Sequence, residues 1–173
     1  MAGYEKINYL DKGIKKYERD ILTLGLCDSF LPVSFVEDRN MIKGIYDCRN
    51  YEKLCDIDRL GCDECLGIMI NLINNAVQTE RHCIFAEDVD YRIENCFVSR
   101  ENGDVKFLFI RDSNRISFKE KMLRIMDYMS ENLSEKEREV FRKAAAMAEK
   151  TESSRAIAGF LESLRRELNE TKP

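Results

Sequence analysis

The residues of this chain best suited to chemistry lie in one short polar segment, which runs from Asp88 to Asn95 and precedes two apolar runs. It contains three carboxylates, those of Asp88, Asp90 and Glu94. Carboxylates held this close together can serve as acid or base, because the charge on one raises the pKa of its neighbour. One hypothesis is therefore a small degenerate enzyme with a carboxylate site near Asp90. A deep pocket beside that residue would favour it.

The same segment resembles the catalytic loop of protein kinases. Asp90 and Asn95 keep the five-residue spacing of the kinase residues that position the substrate hydroxyl and bind metal, and Arg92 stands where a Lys is common. The apolar run 105–110 would be the second strand of the hairpin that follows this loop in kinases. It leads to Asp112, which is not part of the Asp-Phe-Gly motif expected there.

Other parts of the kinase machinery are missing from the sequence. It contains no G-x-G-x-x-G loop, the His-Arg pair before the catalytic Asp is replaced, and Lys43 is the one isolated candidate for a phosphate-binding lysine. Phosphoryl transfer depends almost entirely on positioning and charge stabilisation. The resemblance therefore implies no catalytic residue and no cofactor. It leaves Asp90, Arg92 and Asn95 as vestigial catalytic-loop positions.

The elements that must position this segment can be predicted from the hydrophobic pattern. Apolar residues that recur at three- and four-residue steps predict a long central helix from Asp63 to Val77. Ahead of it, Phe30–Val36 and Met41–Tyr46 flank a polar turn and predict a β-hairpin. Tyr51–Leu60 is predicted to be a short helix, and Tyr17–Leu24 is compatible with either a helix or a strand.

The second half of the chain is predicted to begin with another hairpin and to end in helices. Ile93–Ser99 and Val105–Ile110 would form the hairpin, and because both of its faces are largely apolar it should be covered on both sides. From Ser117 onward, three apolar stripes predict three helices. Ser134 and Glu137 have the spacing of a capping box at the start of the second helix.

Together these elements predict an α+β fold. We interpret it as a degenerate, truncated protein-kinase-like fold with two β-hairpins, a central helix and a C-terminal three-helix region. The 173 residues are expected to form a single domain, in which 1–114 are the α+β part and 115–173 are a helical part packed on it.

A narrower resemblance extends over about residues 17–168. Leu31-Pro32, Ile45-Tyr46-Asp47, the central helix, the second hairpin and the helices from Phe118 look like a bacterial domain of unknown function, usually found N-terminal to forkhead-associated domains. That domain is similar in turn to the kinase-like cytoplasmic domain of the type VII secretion membrane subunit. The resemblance implies a non-catalytic protein-interaction module in signalling or secretion-complex assembly, with a protein partner that the sequence does not identify.

The cysteines offer an alternative function. Cys62 and Cys65 form a C-x-x-C, and Cys55 and Cys83 lie on either side of it. These four residues are the candidate ligands of a zinc- or redox-linked regulatory protein. However, a structural zinc site usually takes two closely spaced pairs, and the acidic residues within this C-x-x-C should raise the thiol pKa values. We expect no metal site, with Cys65 in the core.

Composition and charge exclude several classes of protein. The chain is 44% hydrophobic and 35% charged, as soluble globular proteins are, and its net charge is −4. Residues 1–114 carry 15 basic and 21 acidic side chains and residues 115–173 carry 13 and 11, so neither part predicts binding to nucleic acid. We expect no direct membrane insertion, a cytoplasmic location and reduced thiols, because no apolar run is long enough to span a bilayer.

Overall fold

Two small antiparallel sheets and five α-helices make up the part of the chain that the computed structural model describes. That part comprises residues 3–10, 13–39, 41–114, 116–151 and 153–170. The predicted α+β class is therefore confirmed. None of the helices in these ranges combines the length and the apolarity needed to cross a membrane.

The first sheet contains β1 (Tyr4–Leu10), β2 (Val33–Asp38) and β3 (Met41–Asp47), in the order β1-β3-β2. The predicted hairpin is the pair β2 and β3, which is confirmed. The sequence prediction missed β1, in which polar and apolar residues do not alternate regularly. Gly44 lies where all three strands meet, and a Cβ atom there would approach the rings of Tyr9, Tyr46 and Phe35 to between 3.1 and 3.2 Å.

Helix α1 (Lys16–Thr23) lies between β1 and β2, which settles the open assignment of Tyr17–Leu24 as a helix. It packs beside β2, where Arg19 forms an ion pair with Glu37. The buried hydroxyl groups of the first sheet bond to a distant part of the chain. The Tyr9 hydroxyl is 2.5 Å from the Tyr46 hydroxyl and donates to the backbone carbonyl of Phe109, also at 2.5 Å.

The second sheet contains β4 (Tyr51–Lys53), β5 (Cys96–Ser99) and β6 (Val105–Phe107), in that order. The prediction of a short helix over Tyr51–Leu60 is wrong. Its first three residues form β4 along the open edge of β5, and a single 3₁₀ turn, Leu54–Asp56, follows. Pairing with a strand more than 40 residues away decides this outcome, and a local pattern does not contain that information.

The predicted central helix is α2 (Cys62–Thr79), and it lies on the second hairpin. The hairpin is covered on both sides, as predicted, and all four residues of β5 are buried. Phe107 of β6 is at the centre of the core, fully buried, with its ring 4.7 Å from that of Tyr91 and 6.3 Å from that of Phe30. Its N–H donates to the Ser29 carbonyl at 2.9 Å.

The three predicted C-terminal helices are α3 (Phe118–Ser130), α4 (Glu135–Lys150) and α5 (Ser154–Glu170). The predicted capping box is present at the start of α4. The Ser134 N–H donates to the Glu137 carboxylate at 3.0 Å, and its side chain and backbone lower the pKa of Glu137. Helix α5 packs along α2, where Arg165 Nε is 2.9 Å from the Asp63 carboxylate.

Candidate functional site

A cavity of about 470 Å³ opens beside the predicted loop. Three parts of the chain line it: the loop residues 90–94, the segment 110–114 with Ile116, and one face of α3 with Lys121, Arg124, Ile125 and Tyr128. Two of the three carboxylates of the enzyme hypothesis, Asp90 and Glu94, are in this lining, whereas Asp88 is not. The cavity lies at the position that this hypothesis requires, beside Asp90.

The three vestigial positions lie together in the loop, but they bond to one another. Both carboxylate oxygens of Asp90 accept from Arg92 Nε, at 3.1 and 2.8 Å, and one of them also accepts the Arg92 backbone N–H. The Asn95 amide lies 3.4 Å from the Asp90 backbone carbonyl. Asn95 is buried, and its backbone carbonyl accepts the Leu108 N–H at 3.0 Å. These groups hold the shape of the loop.

The loop is joined to the segment after β6 by a short antiparallel bridge. Val89 pairs with Arg111, the Asp90 N–H donates to the Ile110 carbonyl at 2.8 Å, and the Asp112 N–H donates to the Asp88 carbonyl at 2.9 Å. These bonds fix the segment 110–112 directly beside the loop. As a result, the Asp112 side chain lies next to the cavity although the Asp-Phe-Gly motif is absent.

The Lys121 side chain is the most important part of the site that sequence reasoning missed. It is 5% exposed, and its Nζ lies 2.9 Å from the Asp112 carboxylate. A signal was present in the sequence. Lys121 follows Phe118 by three residues and precedes Ile125 by four, so it lies on the apolar stripe of α3, where a charged residue needs a buried partner.

A second buried ion pair, between Glu18 of α1 and Arg111, was also missed. Glu18 is 2% exposed and pairs with the Arg111 guanidinium. Its carboxylate also accepts the Lys15 N–H at 2.7 Å and lies 3.2 Å from the Tyr17 hydroxyl. The carboxylate therefore caps α1 and fixes that helix to the segment that lines the cavity.

The residues around the cavity do not fit a divalent metal ion of the kinase type. Such an ion needs oxygen ligands that are free to coordinate it. Here Lys121 pairs with the Asp112 carboxylate, and the Asn95 side chain, at the metal-binding position, is buried and bonds to the Asp90 backbone carbonyl. Within the described ranges, no group of three or more His, Cys, Asp or Glu side chains is placed to hold a metal ion.

The four cysteines of the alternative function have different environments. Cys62 and Cys65 are buried, Cys55 is half-buried and Cys83 is exposed. Burial is the main cause that raises the pKa of Cys65 to about 12, followed by the charges of Cys62 and Glu64. Redox thiols instead have lowered pKa values. These environments favour the core position predicted for Cys65.

The buried Cys65 thiol should make the protein less stable in alkali. Its pKa rises from an ordinary value of 9.0 to about 12, so the folded chain holds this proton more tightly than the unfolded chain. The contribution of the Cys65 thiol to the unfolding free energy is fully present below about pH 9. It falls as the pH rises towards about 12, by up to about 1.4 kcal/mol per pH unit. Denaturant unfolding from pH 8 to 11 measures this decline.

In Cys65→Ala the alkaline decline should be shallower, whatever the stability of the variant at neutral pH. Cys83→Ala is the matched control, because it removes an exposed thiol that is not part of the core. Equal slopes in the wild type and in Cys65→Ala would contradict this prediction.

Comparison with known proteins shows a similarity of fold to a solved structure, and no match to a family model or a curated protein. Among solved structures, the crystal structure of the EssB cytoplasmic fragment of Staphylococcus aureus is similar, with a TM-score of 0.50 and 15% sequence identity. The similarity covers 97% of this chain and 99% of that fragment, so nearly the whole arrangement of elements is shared.

Proposed function

We propose that this chain is a non-catalytic, pseudokinase-like protein-interaction module that acts in bacterial signalling or in the assembly of a secretion complex. One observation carries the non-catalytic part of the proposal. The two Asp carboxylates beside the cavity that a metal-dependent phosphotransferase would need are each paired with a cation of the chain itself, Asp90 with Arg92 and Asp112 with Lys121. These ion pairs oppose the use of either carboxylate as a base or as a metal ligand, which supports a non-catalytic role.

The likeness to the EssB fragment supports the secretion part of the proposal. EssB is a type VII secretion subunit, and the shared fold extends over almost the full length of both chains. Fold alone does not determine function, so the partner must be found by experiment. An association with forkhead-associated proteins remains a prediction from the sequence resemblance, and a cytoplasmic location remains a prediction from the hydrophobic pattern of the sequence.

A phosphate-transfer assay tests the non-catalytic part. We expect no magnesium-dependent transfer of phosphate from ATP by the purified chain. We also expect Asp90→Ala to lower the unfolding free energy by about 1 kcal/mol, because it removes the carboxylate that pairs with the largely exposed Arg92 side chain and a bond within the loop. Asp58→Ala, at an exposed position, is the control for stability. Transfer that disappears in Asp90→Ala would overturn the proposal.

Affinity capture from the native cell, with residues 1–173 as bait, tests the interaction part. We expect enrichment of a component of a secretion complex or of a forkhead-associated signalling protein. An unrelated acidic bait of the same size is the control. If nothing is enriched over that control, the interaction part of the proposal is wrong, even if the assay for phosphate transfer is negative.

The cavity beside Asp90 favours a second candidate, the small degenerate enzyme. Its volume of about 470 Å³ is within the range of small-molecule sites, and it lies next to the Asp90 and Glu94 carboxylates. Such an enzyme would have to free Asp90 from Arg92. A screen of small molecules by thermal shift distinguishes the candidates: a compound that stabilises the wild type but not Asp90→Ala would favour the enzyme.

A further inference from the structure

The Lys121 ammonium group lies inside a cage of oxygen atoms. Its Nζ is 2.6 Å from the Glu87 carbonyl, 2.8 Å from the Val89 carbonyl and 3.3 Å from the Ala86 carbonyl. The Asp112 carboxylate at 2.9 Å completes the set of four oxygens. Only one of them carries a formal charge. This arrangement resembles the coordination shell of a bound cation more than a simple ion pair between two side chains.

The cage draws on three separate parts of the chain. The three carbonyls belong to the turn at Ala86–Asp88 and the residue after it, the carboxylate belongs to the segment after β6, and the ammonium group comes from α3. Without Lys121, these carbonyls and the carboxylate would lose the donor group that they share. An ammonium group places three N–H donors at one point, and the four oxygens share them.

We propose that Lys121 is a built-in cation, which holds the loop and the segment 110–112 together where a kinase-like site would use a metal ion. The cage is then a cation site whose resident ligand is the chain's own lysine, and an alkylammonium ion can replace it when the side chain is cut back. The site does not fit a divalent metal ion because the Lys121 ammonium group occupies the position of the cation. The inference holds whether or not the chain binds the partner proposed above.

The cavity gives such an ion a path to the cage. Lys121 and Asp112 both line it, so an ion that enters from solvent meets the carboxylate directly. Replacement of Lys121 by Ala removes three methylene groups and the amine, which together have the composition of propylammonium. That ion has the same N–H donors and the same length as the missing atoms.

Thermal unfolding of the full chain tests the proposal. We expect Lys121→Ala to lower the midpoint by about 5 °C or more, because the Asp112 carboxylate and three backbone carbonyls lose the ammonium group that they share. Propylammonium chloride should restore a substantial part of this loss in a saturable manner. Tetramethylammonium chloride at equal ionic strength should not restore it, because that ion has no N–H donors. Arg124→Ala, on the same helix and in the same cavity lining but exposed, should respond equally to both salts.

Two outcomes would overturn the proposal. One is a midpoint for Lys121→Ala within 1–2 °C of the wild type, about the size of an ordinary surface change. The other is an equal response of this variant to the two ammonium salts, which would mean that only packing was lost.

If Lys121→Ala does not fold, Lys121→Met is compared with the double variant Lys121→Met/Asp112→Asn. The double variant also removes the carboxylate charge that Lys121 compensates, and it should be clearly more stable than the single one. If the two are equally unstable, or if neither folds, charge pairing is not the role of Lys121 and the proposal is wrong.

Discussion

Phe107→Ala is expected to destabilise the protein by about 3–5 kcal/mol, which is within the range measured when a fully buried aromatic side chain is truncated. Phe107 is 0% exposed, and its ring contacts those of Tyr91 and Phe30. Its neighbours belong to the loop, to the residues before β2 and to the core beneath α2, and these elements cannot all move inward to fill the space. Chemical denaturation, with the midpoint and the slope fitted together, measures the loss.

Phe85→Ala is the matched control for that substitution. The same side chain is removed, but Phe85 is 56% exposed, so we expect a change within about 0.5 kcal/mol. Phe107→Leu should fall between the two variants, because it keeps most of the buried volume. A loss below about 1 kcal/mol in Phe107→Ala would mean that Phe107 is not the centre of the core.

Glu18→Ala should have the second large effect, a loss of about 2–3 kcal/mol. The substitution removes the cap of α1 and the partner of Arg111, which is left largely buried with its charge uncompensated. The expected loss is below the upper range for buried pairs, because the Arg111 side chain is 30% exposed and water can solvate part of it. Thermal and denaturant unfolding both measure it.

Glu37→Ala provides the control at another ion pair of the same helix, α1. It also removes a carboxylate that pairs with an arginine, Arg19, but the Glu37 side chain is 69% exposed, so the change should be within about 0.5 kcal/mol. Glu18→Gln should fall between the wild type and Glu18→Ala, because its amide oxygen still accepts the Lys15 N–H. If Glu18→Ala and Glu37→Ala cost the same, burial of the Glu18 pair has no energetic consequence.

The parts of the fold that local patterns determine were predictable. The apolar steps in α2, the stripes of the three C-terminal helices and the Ser134 capping box all act within a few residues, and the structure confirms them. Strand β1 was missed, and β4 was wrongly predicted to be part of a short helix. Both are held by partners elsewhere in the chain, since β1 pairs with β3 and β4 pairs with β5.

The same distinction between local and distant contacts applies to the candidate site. Asp90, Arg92 and Asn95 could be found from the sequence because they lie within six residues of one another, and the loop brings them together. The pairs between Lys121 and Asp112 and between Glu18 and Arg111 join separate elements, the latter across 93 positions. Only the stripe position of Lys121 indicated that it was buried, and nothing local indicated its partner.

The bond from Tyr9 to the Phe109 carbonyl also bears on the order in which the protein can fold as it leaves the ribosome. Its two residues are 100 positions apart, and the Ser29 carbonyl similarly receives its bond from Phe107. The first sheet is therefore synthesised well before the groups that satisfy its buried hydroxyls. Until the second hairpin has emerged, the nascent sheet has no enclosed environment for Tyr9 and Tyr46, so we expect it to reach its final form only after Phe109 has been synthesised.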